Sequence, residues 1–130
     1  MTAIDGEFLV RIDDGIAHVT LNRPQARNAL TFGMYEELAK LCALAGTADD
    51  ADHIKAIVIA GAGDKAFAAG TDIGQFTAFD STEDGLRYEA KVEAVISQIE
   101  SCHVPVIAAL HGAVTGGGLV IAAAAHVRIA

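Results

Sequence analysis

The stretch VPVIAALHGAVTGGGLVIAAAAHVRIA, residues 104–130, decides the fold. It opens with a short apolar run, passes His111 and Gly112, reaches three successive glycines at Gly116 to Gly118, and returns to apolar residues. Residues 104–110 form a brief continuous apolar run with β-branched members, which predicts a strand buried on both faces. Residues 117–125 predict a buried helix, and residues 126–130 begin another strand. A strand, a glycine loop, a helix and a strand in succession indicate α/β architecture. From Gly112 to Ala125 no side chain is an obvious acid, base, nucleophile or metal ligand. What this loop offers a ligand is backbone.

Upstream the arrangement repeats. Ile54 and residues 56–60 (AIVIA) predict a second buried strand, followed by GAGDKAFAAGTDI, residues 61–73, read as a loop. Residues 83–102 are helical in pattern, with Leu86, Val92, Val95, Ile96 and Ile99 on the apolar stripe. Residues 31–46 predict an earlier helix. Thr31 is its N-cap, and Met34, Leu38, Leu41, Leu44 and Ala45 lie on its buried face. Residues 8–12 and 16–21 flank Asp13-Asp14-Gly15 as a β-hairpin, and Asn22-Arg23-Pro24 ends its second strand. The acidic residues 49–52 read as a solvated loop. The order is β-β-α-β-α-β-α-β. The last strand has no helix after it and leaves an open sheet edge, so these residues are expected to be part of a larger unit.

Composition narrows the functional classes. The 130 residues are 52% apolar and carry a formal net charge of −8. That is one domain or part of one, with ample material for a core. The acidic balance argues against nucleic acid as a partner, which needs a basic footprint. An anionic small molecule stays possible, because a few cations and backbone N–H groups suffice to hold a phosphate. Cys42 and Cys102 lack metal-ligand spacing and read as reduced thiols of a cytoplasmic protein rather than a disulfide. His18, His53 and His103 have no companions at metal-ligand spacing either, so no metal is expected. The first residues, MTAIDGEFLVRIDD, lack the apolar segment of a signal peptide, and no apolar run is long enough for a bilayer, so no membrane partner is expected.

Both glycine- and alanine-rich loops follow a predicted buried strand. In open α/β sheets the crevice beyond the carboxyl ends of the strands is the usual ligand position. Two such loops can aim peptide N–H groups at one point. Each well-placed donor contributes roughly 3 kcal/mol to stabilising a developing oxyanion. A helix N-terminus adds up to about 2 kcal/mol when partly buried. The same glycines also suit tight helix packing and a sharp strand-to-helix turn, and the residues alone leave both readings open.

Three segments carry a resemblance: LNRPQARNAL (residues 21–30), DKAFAAGTDI (64–73) and PVIAALHGAVTGGG (105–118). In content, order and spacing they resemble the crotonase superfamily, the enoyl-CoA hydratase/isomerase family. The resemblance implies a crotonase-like spiral of ββα units. Residues 1–130 would be the N-terminal part of its core domain, incomplete at the C-terminus. It implies acyl-CoA thioester substrates, an oxyanion hole of two peptide N–H groups, and no cofactor, coenzyme A being part of the substrate. It also implies a homo-oligomer, trimer or hexamer, when the C-terminal half is present. Carried over by motif, the donors are the N–H groups of Thr71 and Gly117. Ala69, Gly70, Asp72, Ile73 and Gly74 would line the coenzyme A path, with Arg27 and Ala29 along the same channel. Arg27 and Lys65 would lie near its phosphates, or else are solvated surface charges.

The sequence departs from that family at one chemical position. Hydratases of the family carry a glutamate two residues after the third glycine, where this chain has Val120. An apolar side chain cannot move a proton. The family's second usual carboxylate lies beyond Ala130. Asp72 reads as the N-cap of a short helix, residues 73–76, and Asp80, Glu83 and Asp84 as members of a covering loop. His111 reads as a buried, hydrogen-bonded histidine and His126 as a partner of the preceding helix's C-terminal dipole. Ser97 and Ser101 sit on a helix, outside any nucleophile elbow. The leading expectation is an acyl-CoA-processing enzyme of fatty acid metabolism, an isomerase, atypical hydratase or other lyase. The alternative is a non-catalytic or degenerate acyl-CoA binder. A nucleotide-binding module is disfavoured, because TGGGLV fits neither GxGxxG nor GxxxxGK[ST].

Overall fold

The computed structural model of the chain describes residues 6–70 and 82–130. β1 (Phe8–Asp13) and β2 (Ile16–Leu21) form the expected hairpin. Asp13 pairs with Ile16, leaving Asp14-Gly15 as a two-residue turn with φ of 51° and 79°. Two successive positive φ values are the type I′ geometry that twists with the strands, and Asp-Gly adopts it at low cost. After β2, Pro24–Ala26 make one 3-10 turn that the sequence pattern did not announce. α1 (Phe32–Leu44) then starts at Thr31, whose Oγ1 accepts the Met34 N–H at 3.2 Å. Met34, Leu38 and Leu41 are buried as the periodicity requires, joined by Tyr35 and Cys42, while Leu44 is only half-buried.

The remaining elements are β3 (Ala56–Gly61), β4 (Ala66–Ala69), α2 (Thr82–Glu100), β5 (Val106–Ala109), β6 (Ala113–Thr115), α3 (Gly117–Ala124) and β7 (Val127–Ile129). Five strands form one sheet in the order β1-β2-β3-β5-β7, parallel except for the hairpin. β4 and β6 pair in parallel as a second, smaller sheet. The chain therefore repeats one phrase. A strand joins the large sheet, a strand joins the small sheet, and a helix returns it to the start: β3-β4-α2, then β5-β6-α3. The first turn follows the same course, with residues 27–30 in place of a small-sheet strand. There the Ala69 N–H donates to the Arg27 carbonyl at 2.9 Å and the Leu30 N–H to that of Gly70 at 3.1 Å.

Several expectations change. Residues 61–73 and 111–118 are not simple loops: each contains a short small-sheet strand, β4 or β6. The large sheet is not sealed on both faces. Ala17, Val19, Leu21, Ile57, Ile59, Val106 and Ala108 face the helices and are buried, whereas alternate residues such as His18, Val58 and Ile107 are half-buried. β7 stands at one edge of this sheet, opposite β1, with Val127 45% and Ile129 56% exposed. On α2, Val95 and Ile99 reach the core, but Leu86 is 60% exposed and is no part of the stripe.

The acidic connection between α1 and β3 is not merely solvated. Asp50 is 2% exposed and accepts N–H groups from Gly46 at 2.9 Å, Ile54 at 2.8 Å and Asp52 at 3.1 Å. His126 also differs from expectation. Its Nδ1 accepts the Val106 N–H at 2.9 Å, so the ring proton sits on Nε2, which faces the Glu100 carbonyl of α2 at 3.2 Å. The C-terminus of α3 is held instead by Arg128, whose Nη1 donates to the carbonyls of Ala122, Ala123 and Ala125.

Candidate functional site

Three stretches of backbone meet at the ends of the small-sheet strands. β4 ends at Ala69, just before Gly70, and β6 at Thr115, and the Gly70 N–H donates to the Thr115 carbonyl at 2.9 Å. On the other side, the Gly70 carbonyl accepts the Leu30 N–H. Gly70 has φ of 91° and Gly116 has φ of 54°, a region where side chains are strained. A Cβ on Gly116 would stand 2.7 Å from the Gly70 Cα, so the two turns touch backbone to backbone. A Cβ on Gly118 would meet the Ala68 carbonyl oxygen at 2.0 Å. The glycine triplet thus lets α3 start directly against β4.

α3 begins at this contact. The Val120 N–H donates to the Gly116 carbonyl at 3.1 Å, which starts the helical ladder. The N–H groups of Gly117, Gly118 and Leu119 precede that ladder, as at any helix start. Gly117 is buried, and its N–H has no acceptor among the described residues. A buried peptide donor at the positive end of a helix dipole is a ready anion or oxyanion partner. Its counterpart from the sequence, Thr71, lies outside the described residues, as do Asp72, Ile73, Gly74 and Asp80. The structure does place Ala69 and Gly70, the residues leading to Thr71, beside the glycine triplet.

The NRP stretch is rigid for a reason the motif did not state. Asn28 is fully buried. Its Oδ1 accepts the Arg23 N–H at 2.9 Å, and its Nδ2 donates to the carbonyls of Ala62 at 3.0 Å and Ala66 at 2.8 Å. Arg23 adds an ion pair to Glu7 at 3.0 Å and a bond from Nη1 to the Ala29 carbonyl at 2.6 Å. Arg27 and Asn28 both have positive φ, 52° and 56°, a conformation this network holds in place. An asparagine four residues after the strand-ending Pro24 is the mark of this brace that the sequence carries.

The brace shapes a cavity of about 180 Å³ lined by Pro24, Arg27, Asn28 and residues 62–66. Arg27 and Lys65, singled out from sequence, therefore line one cavity together with Asp64. His111 sets its Nε2 3.0 Å from the Gly63 carbonyl and is half-buried rather than buried. Val120 is no part of this cavity. It lies beside Ile96, Glu100, Ala123 and Ala124 in a groove of about 260 Å³ between α2 and α3. Glu83 is exposed and pairs with Arg87 at 3.9 Å. Ser101 donates its hydroxyl to the Ser97 carbonyl at 2.6 Å. Among the described residues no cluster of three or more His, Cys, Asp or Glu could hold a metal, and no helix is long and apolar enough to cross a membrane.

Known proteins resemble the chain in both sequence and fold. A family model described as enoyl-CoA hydratase/isomerase matches residues 11–130. A Bacillus subtilis (strain 168) protein named probable enoyl-CoA hydratase is 40% identical over 119 residues, 92% of this chain and 44% of that protein. The fatty acid oxidation complex subunit alpha of Idiomarina loihiensis is 34% identical over 127 residues, 96% of this chain and 18% of that protein. The crystal structure of enoyl-CoA hydratase from Mycobacterium smegmatis superposes with a TM-score of 0.82 at 34% identity, over 94% of this chain and 46% of that one. The chain spans less than half the length of these relatives. With the crotonase fold seen in its repeated strand, strand and helix, the chain belongs to the enoyl-CoA hydratase/isomerase family.

Proposed function

We propose that this chain supplies the oxyanion-stabilising half of an acyl-CoA site. One observation carries the reading: the Gly70 and Gly116 turns are in contact where the buried Gly117 N–H opens α3. The Gly117 N–H and the N–H of Thr71, next after Gly70, donate to the thioester carbonyl oxygen. As the α-carbon loses a proton or a nucleophile adds at the β-carbon, charge moves onto that oxygen and both bonds strengthen. Such strengthening between ground and transition state is what accelerates the reaction. Ala69, Gly70 and residues 72–74, with Arg27 and Ala29, flank the path of coenzyme A. Arg27 and Lys65 offer two cations to its phosphates in the 180 Å³ cavity, with Asp64 limiting the net charge. No separate cofactor is required, since the thioester supplies the electron sink. The whole protein acts as a homotrimer or hexamer.

Proton transfer is the open half of the mechanism. Val120 holds the position of the usual glutamate and cannot act as acid or base. The carboxylate must therefore come from another segment, which favours isomerase or other lyase chemistry over two-glutamate hydration. The same valine favours the second reading, a non-catalytic acyl-CoA binder.

The test uses the purified protein and crotonyl-CoA. Gly117→Pro removes the N–H while keeping a residue suited to the first helical position. Turnover is expected to fall by roughly 100- to 1,000-fold. Turnover untouched by the substitution rules out the oxyanion role. Saturable binding of crotonyl-CoA and its isomers without turnover selects the binder.

A further inference from the structure

Outside the site, the described residues bring two thiols to one seam of the core. Cys42 is on α1 and 1% exposed. Cys102 follows α2, where its N–H closes the last turn onto the Ile99 carbonyl at 3.3 Å, and it is half-buried. The two stand far apart in sequence, yet Cys102 is the group that neighbours the Cys42 thiol. A second contact fixes the same approach independently. A Cβ on Gly46, just past α1, would lie 2.8 Å from the Val104 Cγ1 and 3.1 Å from the His103 Cβ. The end of α1 is thus packed on the chain that enters β5, and the sulfur pair spans that seam.

We infer that Cys42 and Cys102 form a modification site: a dithiol that a hydroperoxide converts into a disulfide joining α1 to the segment before β5. The accessibilities assign the roles. Cys102, the half-buried thiol, reaches the oxidant first. Its thiolate sulfur attacks one peroxide oxygen, the O–O bond breaks, and hydroxide leaves to be protonated to water. Cys102 is then a sulfenic acid. The Cys42 sulfur attacks the Cys102 sulfur, the S–O bond breaks, and the departing oxygen takes the Cys42 proton to give a second water. Two thiols and one hydrogen peroxide become one disulfide and two waters. Burial, and then the neighbouring Cys102, push the Cys42 thiol's ionisation up, so it is a poor first reactant and a resolving thiol that depends on proximity. The finished bond would tie α1 to the strand that leads to the glycine triplet.

The experiment treats the purified protein with limiting hydrogen peroxide, blocks remaining thiols with N-ethylmaleimide and digests with trypsin. Cleavage after Lys40, Lys55, Lys91 and Arg128 places Cys42 in peptide 41–55 and Cys102 in peptide 92–128. The expected product is these two peptides joined within one protomer, and dithiothreitol separates them. In Cys42→Ser, Cys102 should instead stop at sulfenic acid or pass to sulfinic acid. In Cys102→Ser, Cys42 should stay a thiol. Three results overturn the proposal: Cys102 passing to sulfinic acid in the unsubstituted protein while Cys42 stays reduced, a link between protomers only, or no loss of thiols at peroxide concentrations that oxidise free cysteine.

Discussion

The two ends of α1 are fixed by the same device built from different chemistry. Before the helix stands Asn28; after it stands Asp50. These are the two buried polar side chains among the described residues, and each makes three hydrogen bonds to backbone. The partners explain the residue types. Asn28 faces one N–H and two carbonyls, a mixture that only an amide can satisfy. Asp50 faces three N–H groups, which suit a carboxylate. Reach separates them as well. Asn28 bridges to Ala62 and Ala66, 34 and 38 residues away, whereas the bonds of Asp50 stay within four residues. The neutral brace thus ties the candidate site together, and the charged one secures a remote turn.

Breaking the long-range brace has the larger effect. Asn28→Asp sets carboxylate oxygens against the Ala62 and Ala66 carbonyls, and Asn28→Ala takes a partner from three backbone groups, the Ala66 carbonyl buried and the other two part-buried. We expect a loss of roughly 3–5 kcal/mol by urea unfolding, larger for the Asp variant. Acyl-CoA binding should weaken too, because Arg27 and Ala29 lose their anchorage. Asn28 does not titrate, so the cost of Asn28→Ala is expected to be flat from about pH 4 to about pH 8. A stability change under about 1 kcal/mol would show that water replaces the amide and that the brace is not what orders this turn.

Asp50→Asn comes next, at roughly 1–3 kcal/mol near neutral pH. Here pH decides the outcome. Burial opposes ionisation of Asp50, but the N–H groups of Gly46, Ile54 and Asp52, with His53 nearby, together hold its carboxyl below the ordinary 3.8. A carboxyl lowered in the folded state stabilises fully above its unfolded value. That contribution disappears as pH falls through the lower folded value. The gap between the two proteins should therefore be constant above about pH 5 and narrow below pH 3.8. A gap that widens on acidification would mean the carboxyl is protonated in the folded state, and the contrast with Asn28 would fail.

Legibility from sequence divides along the same lines. The hairpin, α1, β3 and β5 were readable because Asp-Gly, Thr31 and the apolar runs leave a periodic or turn-specific mark. β4 (AFAA) and β6 (AVT) were not, because short strands of small residues carry no alternation, and their pairing partner is only the other. Asp50 was hidden among Asp49, Ala51 and Asp52, where composition indicates solvent and only geometry shows which carboxylate turns inward. At the site, the motif gave positions along the chain. The contact of Gly70 with Gly116 and the burial of Gly117 depend on pairing between strands far apart in sequence, which no local pattern encodes.

The smallest effect lies between the two braces, at the helix start itself. Thr31 caps α1 through its Oγ1 to the Met34 N–H, and the Met34 sulfur faces the Thr31 N–H at 3.4 Å. A sulfur acceptor is weak, so most of the cap energy sits in the hydroxyl bond. Thr31→Ala should cost about 1 kcal/mol, and Thr31→Ser much less, since serine keeps the oxygen. Neither should alter acyl-CoA binding, because the Leu30 N–H to Gly70 bond is main-chain and survives both changes. If Thr31→Ala instead weakened binding as strongly as Asn28→Ala, the order of residues 27–30 would depend on the helix behind them. The Asn28 network would then follow from that order rather than cause it.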